Sequence, residues 1–272
     1  MIIGLLGSTA SGKSELALQI ARKYNAEILS CDSLLVYRHL KIGTAKPEPH
    51  ELLKIPHHGI DLVEPNEDFT AGDYVRYARE VIDDLYNKKK KLLIVGGTGF
   101  YLKALLCGTW DAPPTQPKLR EKIEAHSTEF LYGLLQEKDP AYAKKIKLGD
   151  RYRMIRALEI IEFSGKTVTE ISLNQRQNPL PYPIHLIGIQ RNKLELERRI
   201  IERTNRMFSE GLIEETKVLI KYFGENNRAL SCVGYNEAQL FLKEKINISE
   251  CKEHVIMSTR QLAKKQKTFF KT

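Results

Sequence analysis

Short apolar runs beside glycines or turn residues alternate with stretches whose apolar positions recur at helical spacing. Ile2–Leu6, Ala26–Leu29 and Leu92–Val95 are of the first kind and read as buried strands. Gly12–Tyr24, with Leu16, Ile20 and Ala21, and Ala71–Asn87, with Tyr74, Ala78, Val81 and Leu85, are of the second and read as helices with one buried face. Strands alternating with helices predict a parallel α/β sheet flanked by helices. The rhythm breaks at Asp111–Gln116, which holds Pro113 and Pro114 and is followed by Pro117. From Lys118 to about Ser164 the pattern is all helical, with Met154, Ile155, Leu158 and Ile161 on one side of Arg151–Phe163. A second break holds Pro179, Pro181 and Pro183; after it the apolar run Ile184–Ile189 reads as a returning strand. Lys193–Glu210, Ile213–Tyr222, Tyr235–Lys243 and Ser249–Phe270 then read as helices. The expected organisation is a core of residues 1–115 and 180–272 with a small all-helical insertion at 116–179.

Composition narrows this picture. A chain of 272 residues with 42% hydrophobic and 28% charged residues is globular, which excludes a disordered tail or a fibre repeat. No apolar run reaches the ~18 residues of a membrane span. The start, Met1-Ile2-Ile3-Gly4, lacks the basic region and cleavage site of a signal peptide. Cys31, Cys107, Cys232 and Cys251 are far apart and show no metal-ligand spacing, which fits reduced thiols in a cytoplasmic protein. With 43 Lys+Arg against 34 Asp+Glu, the net charge is +9. That excess suits an anionic partner such as phosphate or nucleic acid, or simply a solvated basic surface.

The strongest chemical signal is Gly7-Ser8-Thr9-Ala10-Ser11-Gly12-Lys13-Ser14. It follows a predicted strand, precedes a predicted helix and matches G-x-x-x-x-G-K-[ST], the P-loop pattern. Glycines let the backbone wrap with its N–H groups aimed at phosphate oxygens, and the helix N-terminus adds positive potential. Lys13 supplies a charge to the terminal phosphate, and the Ser14 hydroxyl can ligate Mg²⁺. A diphosphate or triphosphate site follows; the chemistry done there does not.

Further motifs stand in order: Asp32-Ser33-Leu34-Leu35-Val36-Tyr37-Arg38, Ile42-Gly43-Thr44-Ala45-Lys46-Pro47, Pro56-His57-His58-Gly59-Ile60-Asp61 and Gly96-Gly97-Thr98-Gly99-Phe100-Tyr101. Later come Asp150–Glu159, Val233-Gly234-Tyr235 and Thr259–Gln266. Together they resemble the tRNA dimethylallyltransferase (tRNA isopentenyltransferase) family, from about Ile3 to Lys271. The chain departs from the family pattern at Leu35, where glutamine is usual, at Phe269, where tryptophan is usual, and at Gly149, where asparagine is usual.

The resemblance implies a P-loop NTPase-like fold and a cytoplasmic, monomeric enzyme. The implied reaction moves a dimethylallyl group from dimethylallyl diphosphate to the exocyclic amino nitrogen of the adenosine 3′ of the anticodon in tRNA. Gly7, Ser8, Thr9, Ala10, Ser11, Gly12, Lys13 and Ser14 would hold the diphosphate with Mg²⁺. Asp32 would be the general base, though an aspartate after a strand also suits an N-cap. Thr98 would hydrogen-bond the leaving oxygen, or be an ordinary turn threonine. Arg203 would clamp the pyrophosphate, or be a solvated helix arginine. The tRNA anticodon stem-loop would meet Asp32, Ser33, Leu34, Leu35, Thr98 and Arg120. Further along, it would meet Tyr152, Arg153, Met154, Ile155 and Arg156, then Ser231, Cys232, Val233, Gly234, Tyr235 and Asn236. The last contacts would be Lys264, Lys265, Gln266, Lys267, Thr268, Phe269, Phe270 and Lys271. Basic side chains there would hold phosphates and rings would stack on bases; a helix surface for Arg153 and Arg156, and core packing for Phe269 and Phe270, are the plain alternatives. Free-nucleotide isopentenyltransferases and small-molecule kinases share the P-loop. The former are expected to lack the basic insertion and basic C-terminal motif.

Overall fold

The computed structural model describes residues 1–108, 113, 115–174, 178–225 and 227–271. Of the first proline break, Asp111, Ala112 and Pro114 lie outside the described residues. The chain divides into two compact units, Met1–Cys107 with Pro179–Thr272, and Gly108–Asn178. The first unit begins with β1 (Ile2–Gly7), α1 (Lys13–Tyr24), β2 (Ala26–Ser30), α2 (Pro49–Lys54), β3 (His57–His58), α3 (Ala71–Asn87), β4 (Lys91–Gly96) and α4 (Gly99–Cys107). The second unit holds α5 (Pro117–Glu124), α6 (Thr128–Lys138), α7 (Pro140–Ala143), α8 (Arg151–Ser164) and α9 (Val168–Asn174). The first unit resumes with β5 (Ile184–Ile189), α10 (Lys193–Ser209), α11 (Leu212–Phe223), α12 (Tyr235–Leu242) and α13 (Ile248–Phe269).

The strands form one parallel sheet in the order β3-β2-β4-β1-β5. Alternation along each strand divides its side chains between two cores. Leu6, Leu29, Leu92 and Ile94 join Tyr74, Ala78, Ile82 and Leu85 of α3. Leu5, Ile28, Leu93 and Val95 join Ala17 and Ala21 of α1. Burial on both faces explains why these strands read as unbroken apolar runs. The chain passes from β1 through α1 to β2, leaving room for β4 between them. The C-terminal ends of β2, β4 and β1 therefore lie side by side, the usual place for a site in such sheets.

Several elements depart from the sequence reading. α1 buries Ala17 and Ala21 and leaves Leu16 exposed; the loop that starts the helix sets its rotation, and small alanines give the shallow face that meets the strands. α4 buries Tyr101, Leu102, Ala104 and Leu105 and exposes Phe100, Lys103 and Cys107, so a single charged residue marks its outer face and the amphipathic signal is weak. β3 is two residues long, too short for any periodicity. β5 pairs with β1 at the sheet edge, and Leu186 and Ile187 stay about half exposed despite the apolar run. α3 starts where expected, because the Thr70 hydroxyl accepts the Asp73 N–H and the Asp73 carboxylate accepts the Thr70 N–H, a capping box.

The helical unit has its own core, built from Leu131, Leu135, Ile146, Met154, Ile155, Leu158 and Ile160 among others. Two buried acids tie it together. Asp139 accepts the Tyr142 N–H at 3.0 Å, the Thr169 N–H at 2.9 Å and the Thr169 hydroxyl at 2.6 Å. Glu159 accepts the Gln116 N–H at 2.5 Å and pairs with Arg156 at 2.7 Å.

Candidate active site

The loop between β1 and α1 is held from outside by side chains far away in sequence. Ala10 adopts φ 60° and Gly12 φ 87°, left-handed conformations that only glycine accepts without cost. The Ala10 carbonyl accepts Arg199 Nε at 3.0 Å, and the Ser11 carbonyl accepts Arg191 Nε at 3.0 Å. The Thr9 N–H donates to Gln266 Oε1 at 2.7 Å. Two of the loop's carbonyls are thus taken up by arginines that follow β5. Lys13 curls back, its ammonium 3.4 Å from the Ser8 carbonyl.

Three charges meet beside this loop. Burial pushes the Lys13 ammonium below the ordinary lysine value, the Asp32 carboxylate opposes that shift, and the Arg203 guanidinium adds to it. Burial likewise lowers Arg203, again opposed by Asp32. Among the described residues no carboxylate lies within 4 Å of either cation. Both cations are half-buried, and two positive charges facing one negative charge leave an excess that a bound anion would neutralise. Perturbed charges gathered in this way mark functional sites.

Asp32 lies just past β2, after Cys31. Its Oδ1 accepts the Leu34 N–H at 3.0 Å, and residues 33–36 form turns, so it caps no helix. One oxygen thus fixes the carboxylate, while Oδ2 accepts no hydrogen bond among the described residues. Thr98, just past β4, interlocks with the same turn. Its Oγ1 accepts the Ser33 N–H at 3.1 Å, and its N–H donates to the Cys31 carbonyl at 3.2 Å. Burial pushes the neighbouring Cys31 thiol up to about 12, so it stays protonated and offers no competing nucleophile.

α13 packs tightly onto the turn after β4. Gln266 Nε2 donates to the Gly97 carbonyl at 3.0 Å. A methyl group on Gly97 would sit 2.6 Å from that nitrogen, and one on Gly99 would overlap the Phe269 ring. Lys264, Lys265, Lys267, Thr268 and Lys271 are exposed on α13 or just past it, and Phe270 is half-buried.

The structure sorts the other expected residues. In the helical unit Tyr152 and Arg153 are exposed, and Arg120 lies over the Tyr152 ring, 5.2 Å from its centroid. Met154 and Ile155 are core residues at 0% and 4% exposure, so their side chains are not presented to a partner at the surface. Arg156 is half-buried, bound to Glu159 and to the Pro113 carbonyl. Ser231 and Asn236 are exposed, Cys232 and Val233 half-buried, and Tyr235 fully buried. The Tyr235 hydroxyl donates to Glu215 at 2.5 Å, and that carboxylate also accepts the Lys41 and Ile42 N–H groups. Tyr235 therefore anchors the 41–47 loop and does not face solvent. Lys46 of that loop pairs with Asp61. His58 bonds Glu27 at 2.8 Å and His57 the Ile55 carbonyl at 2.7 Å, a structural use of both rings. Arg191, Arg199 and Glu215 were absent from the sequence reading. For the two arginines the one signal is position: β5 pairs with β1, so residues after β5 reach the loop after β1.

Known proteins resemble this chain along its length. The family model for IPP transferase matches residues 35–272. The tRNA dimethylallyltransferase of Gloeothece citriformis is 42% identical over 99% of this chain and 88% of its own length. That of Geobacter sulfurreducens is 37% identical over the same shares. Among solved structures, the tRNA isopentenylpyrophosphate transferase of Bacillus halodurans superposes with a TM-score of 0.72 at 30% identity, covering 100% of this chain and 86% of that one. A eukaryotic dimethylallyltransferase described as acting on tRNA gives a TM-score of 0.83 at 28% identity, covering 97% and 68%.

Proposed function

The chain belongs to the IPP transferase family, and from that premise we propose that it transfers a dimethylallyl group from dimethylallyl diphosphate to the exocyclic amino nitrogen of the adenosine 3′ of the anticodon in tRNA. The observation that carries the reading is the half-buried pair Lys13 and Arg203, set beside Asp32 with no carboxylate in ion-pair distance among the described residues. The allylic carbon–oxygen bond breaks, a carbon–nitrogen bond forms, pyrophosphate leaves, and the amine proton passes to Asp32. The adenine amine is a weak nucleophile, since its lone pair is delocalised into the ring. A carboxylate with one oxygen fixed and the other open suits proton removal during attack. Lys13, Arg203 and the loop N–H groups oppose the charge that develops on the leaving group. The Thr98 hydroxyl supplies one more donor beside Asp32.

Mg²⁺ would bind here mainly through the substrate. Among the described residues no group of three or more His, Cys, Asp or Glu side chains could hold a metal alone. Ser14 is exposed at the first turn of α1, and a hydroxyl with diphosphate oxygens is a donor set this ion accepts. When bound, it adds positive charge against the departing pyrophosphate.

In the helical unit, residues 116–179 in the sequence division, the exposed Arg153 and Tyr152 are groups suited to RNA, and in the sheet unit the lysines of α13 are likewise. The target base must leave its stack to reach Asp32. The described residues hold no helix long and apolar enough to cross a membrane; the enzyme meets tRNA in the cytoplasm.

Incubation with unmodified tRNA, dimethylallyl diphosphate and Mg²⁺, with AMP as competing acceptor, tests the reading by mass analysis of nucleosides. Modified tRNA adenosine with untouched AMP is expected. Modified AMP would identify a free-nucleotide enzyme instead.

A further inference from the structure

Gln266 sits among the lysines of α13, yet its side chain turns inward and spans two loops. Oε1 accepts the Thr9 N–H at 2.7 Å and Nε2 donates to the Gly97 carbonyl at 3.0 Å. A donor on one side and an acceptor on the other allow only one orientation of the amide. The last paired position of β1 and β4 is Leu6 with Gly96. Beyond it the two chains diverge, one into the phosphate loop and the other toward Thr98. The sheet's own hydrogen bonds stop there, and Gln266 ties the loops together just past that point. The Gly97 carbonyl belongs to the peptide that enters Thr98, and Thr98 is bonded in turn to Ser33 beside Asp32.

We propose that Gln266 is a positioning residue for the transfer: it sets the spacing between the loop that holds the diphosphate and the Thr98–Asp32 side that meets the amine. Its work is on the donor side of the site, although its neighbours on α13 face RNA. The proposal rests on the function given above. Reacting groups lose rate steeply when misplaced, by about 100-fold for a displacement of about 1 Å.

Gln266→Leu keeps similar bulk and removes both bonds. The expected result is a fall in kcat of roughly 10- to 100-fold, with weaker binding of inorganic pyrophosphate and an unchanged Kd for tRNA. A kcat within about twofold of the wild-type value overturns the proposal. So does a loss confined to tRNA affinity, which would make Gln266 an RNA contact. Gln266→Asn, too short to bridge both loops, is measured alongside with thermal melting, and the same split between kcat and tRNA affinity is expected if the leucine variant fails to fold. If the wild-type protein transfers no dimethylallyl group, the functional reading fails by itself. The pyrophosphate titration then still judges the bridge: equal affinity in wild type and Gln266→Leu overturns it.

Discussion

The two units treat buried charge in opposite ways. In the helical unit Glu159 is fully buried and fully used, bonded to Arg156 and to the Gln116 N–H. Asp139 beside it accepts three hydrogen bonds. At the strand ends of the sheet unit, Lys13 and Arg203 both feel the field of Asp32, yet neither forms an ion pair among the described residues. A satisfied buried charge holds a fold together; an unsatisfied one costs stability and is kept for a ligand. The contrast separates structural from chemical residues without reference to any relative.

The contrast can be broken at several points. The largest effect is expected from Asp32→Ala. Loss of the base should lower the transfer rate by about 10²- to 10⁴-fold, while pyrophosphate still binds, since only a negative charge is removed. Single-turnover assays read the first and calorimetry the second; near-normal rates would remove Asp32 from the chemistry. Arg203→Leu comes next, with a loss on the order of 10²- to 10³-fold in kcat, as for removal of one charge-stabilising donor. Arg203→Lys should restore part of the charge and little of the two-pronged geometry. On the other side, Glu159→Ala strands Arg156 and the Gln116 N–H. It should cost about 1–3 kcal/mol of stability, seen as a lower Tm, with pyrophosphate affinity unchanged. The smallest effect concerns pH. Lys13 is charged below its lowered pKa, so pyrophosphate affinity should decline as pH rises through a range below 10.5, the ordinary lysine value. Lys13→Arg, titrated in parallel, should lack that decline.

Asp32 and Thr98 stand out only through the family resemblance. The parallel sheet and the strand, glycine loop and helix of residues 2–24 could be read from the chain, because each rests on a local pattern, an apolar run or a glycine spacing. Residues that act through tertiary neighbours could not. Arg191 and Arg199 look like any surface arginines until β5 is known to lie beside β1. Tyr235, Met154 and Ile155 sit in motifs that read as one RNA-facing block, yet helical geometry turns them inward while their neighbours face out. α4 escaped notice because Lys103 is its only charged residue and the apolar Phe100 shares the exposed face, so the polar period is weak.

The tight seat of α13 on the turn after β4 has an evolutionary consequence. Gly97 and Gln266, and likewise Gly99 and Phe269, are fitted to each other with no room for a methyl group. A side chain gained at 97 must push the end of the flexible Gln266 amide aside and so break its bonds, and one gained at 99 meets the Phe269 ring and favours a smaller partner there. Such pairs should appear as epistasis in a mutational scan, with an alanine at 99 tolerated better once Phe269 is reduced to leucine or valine.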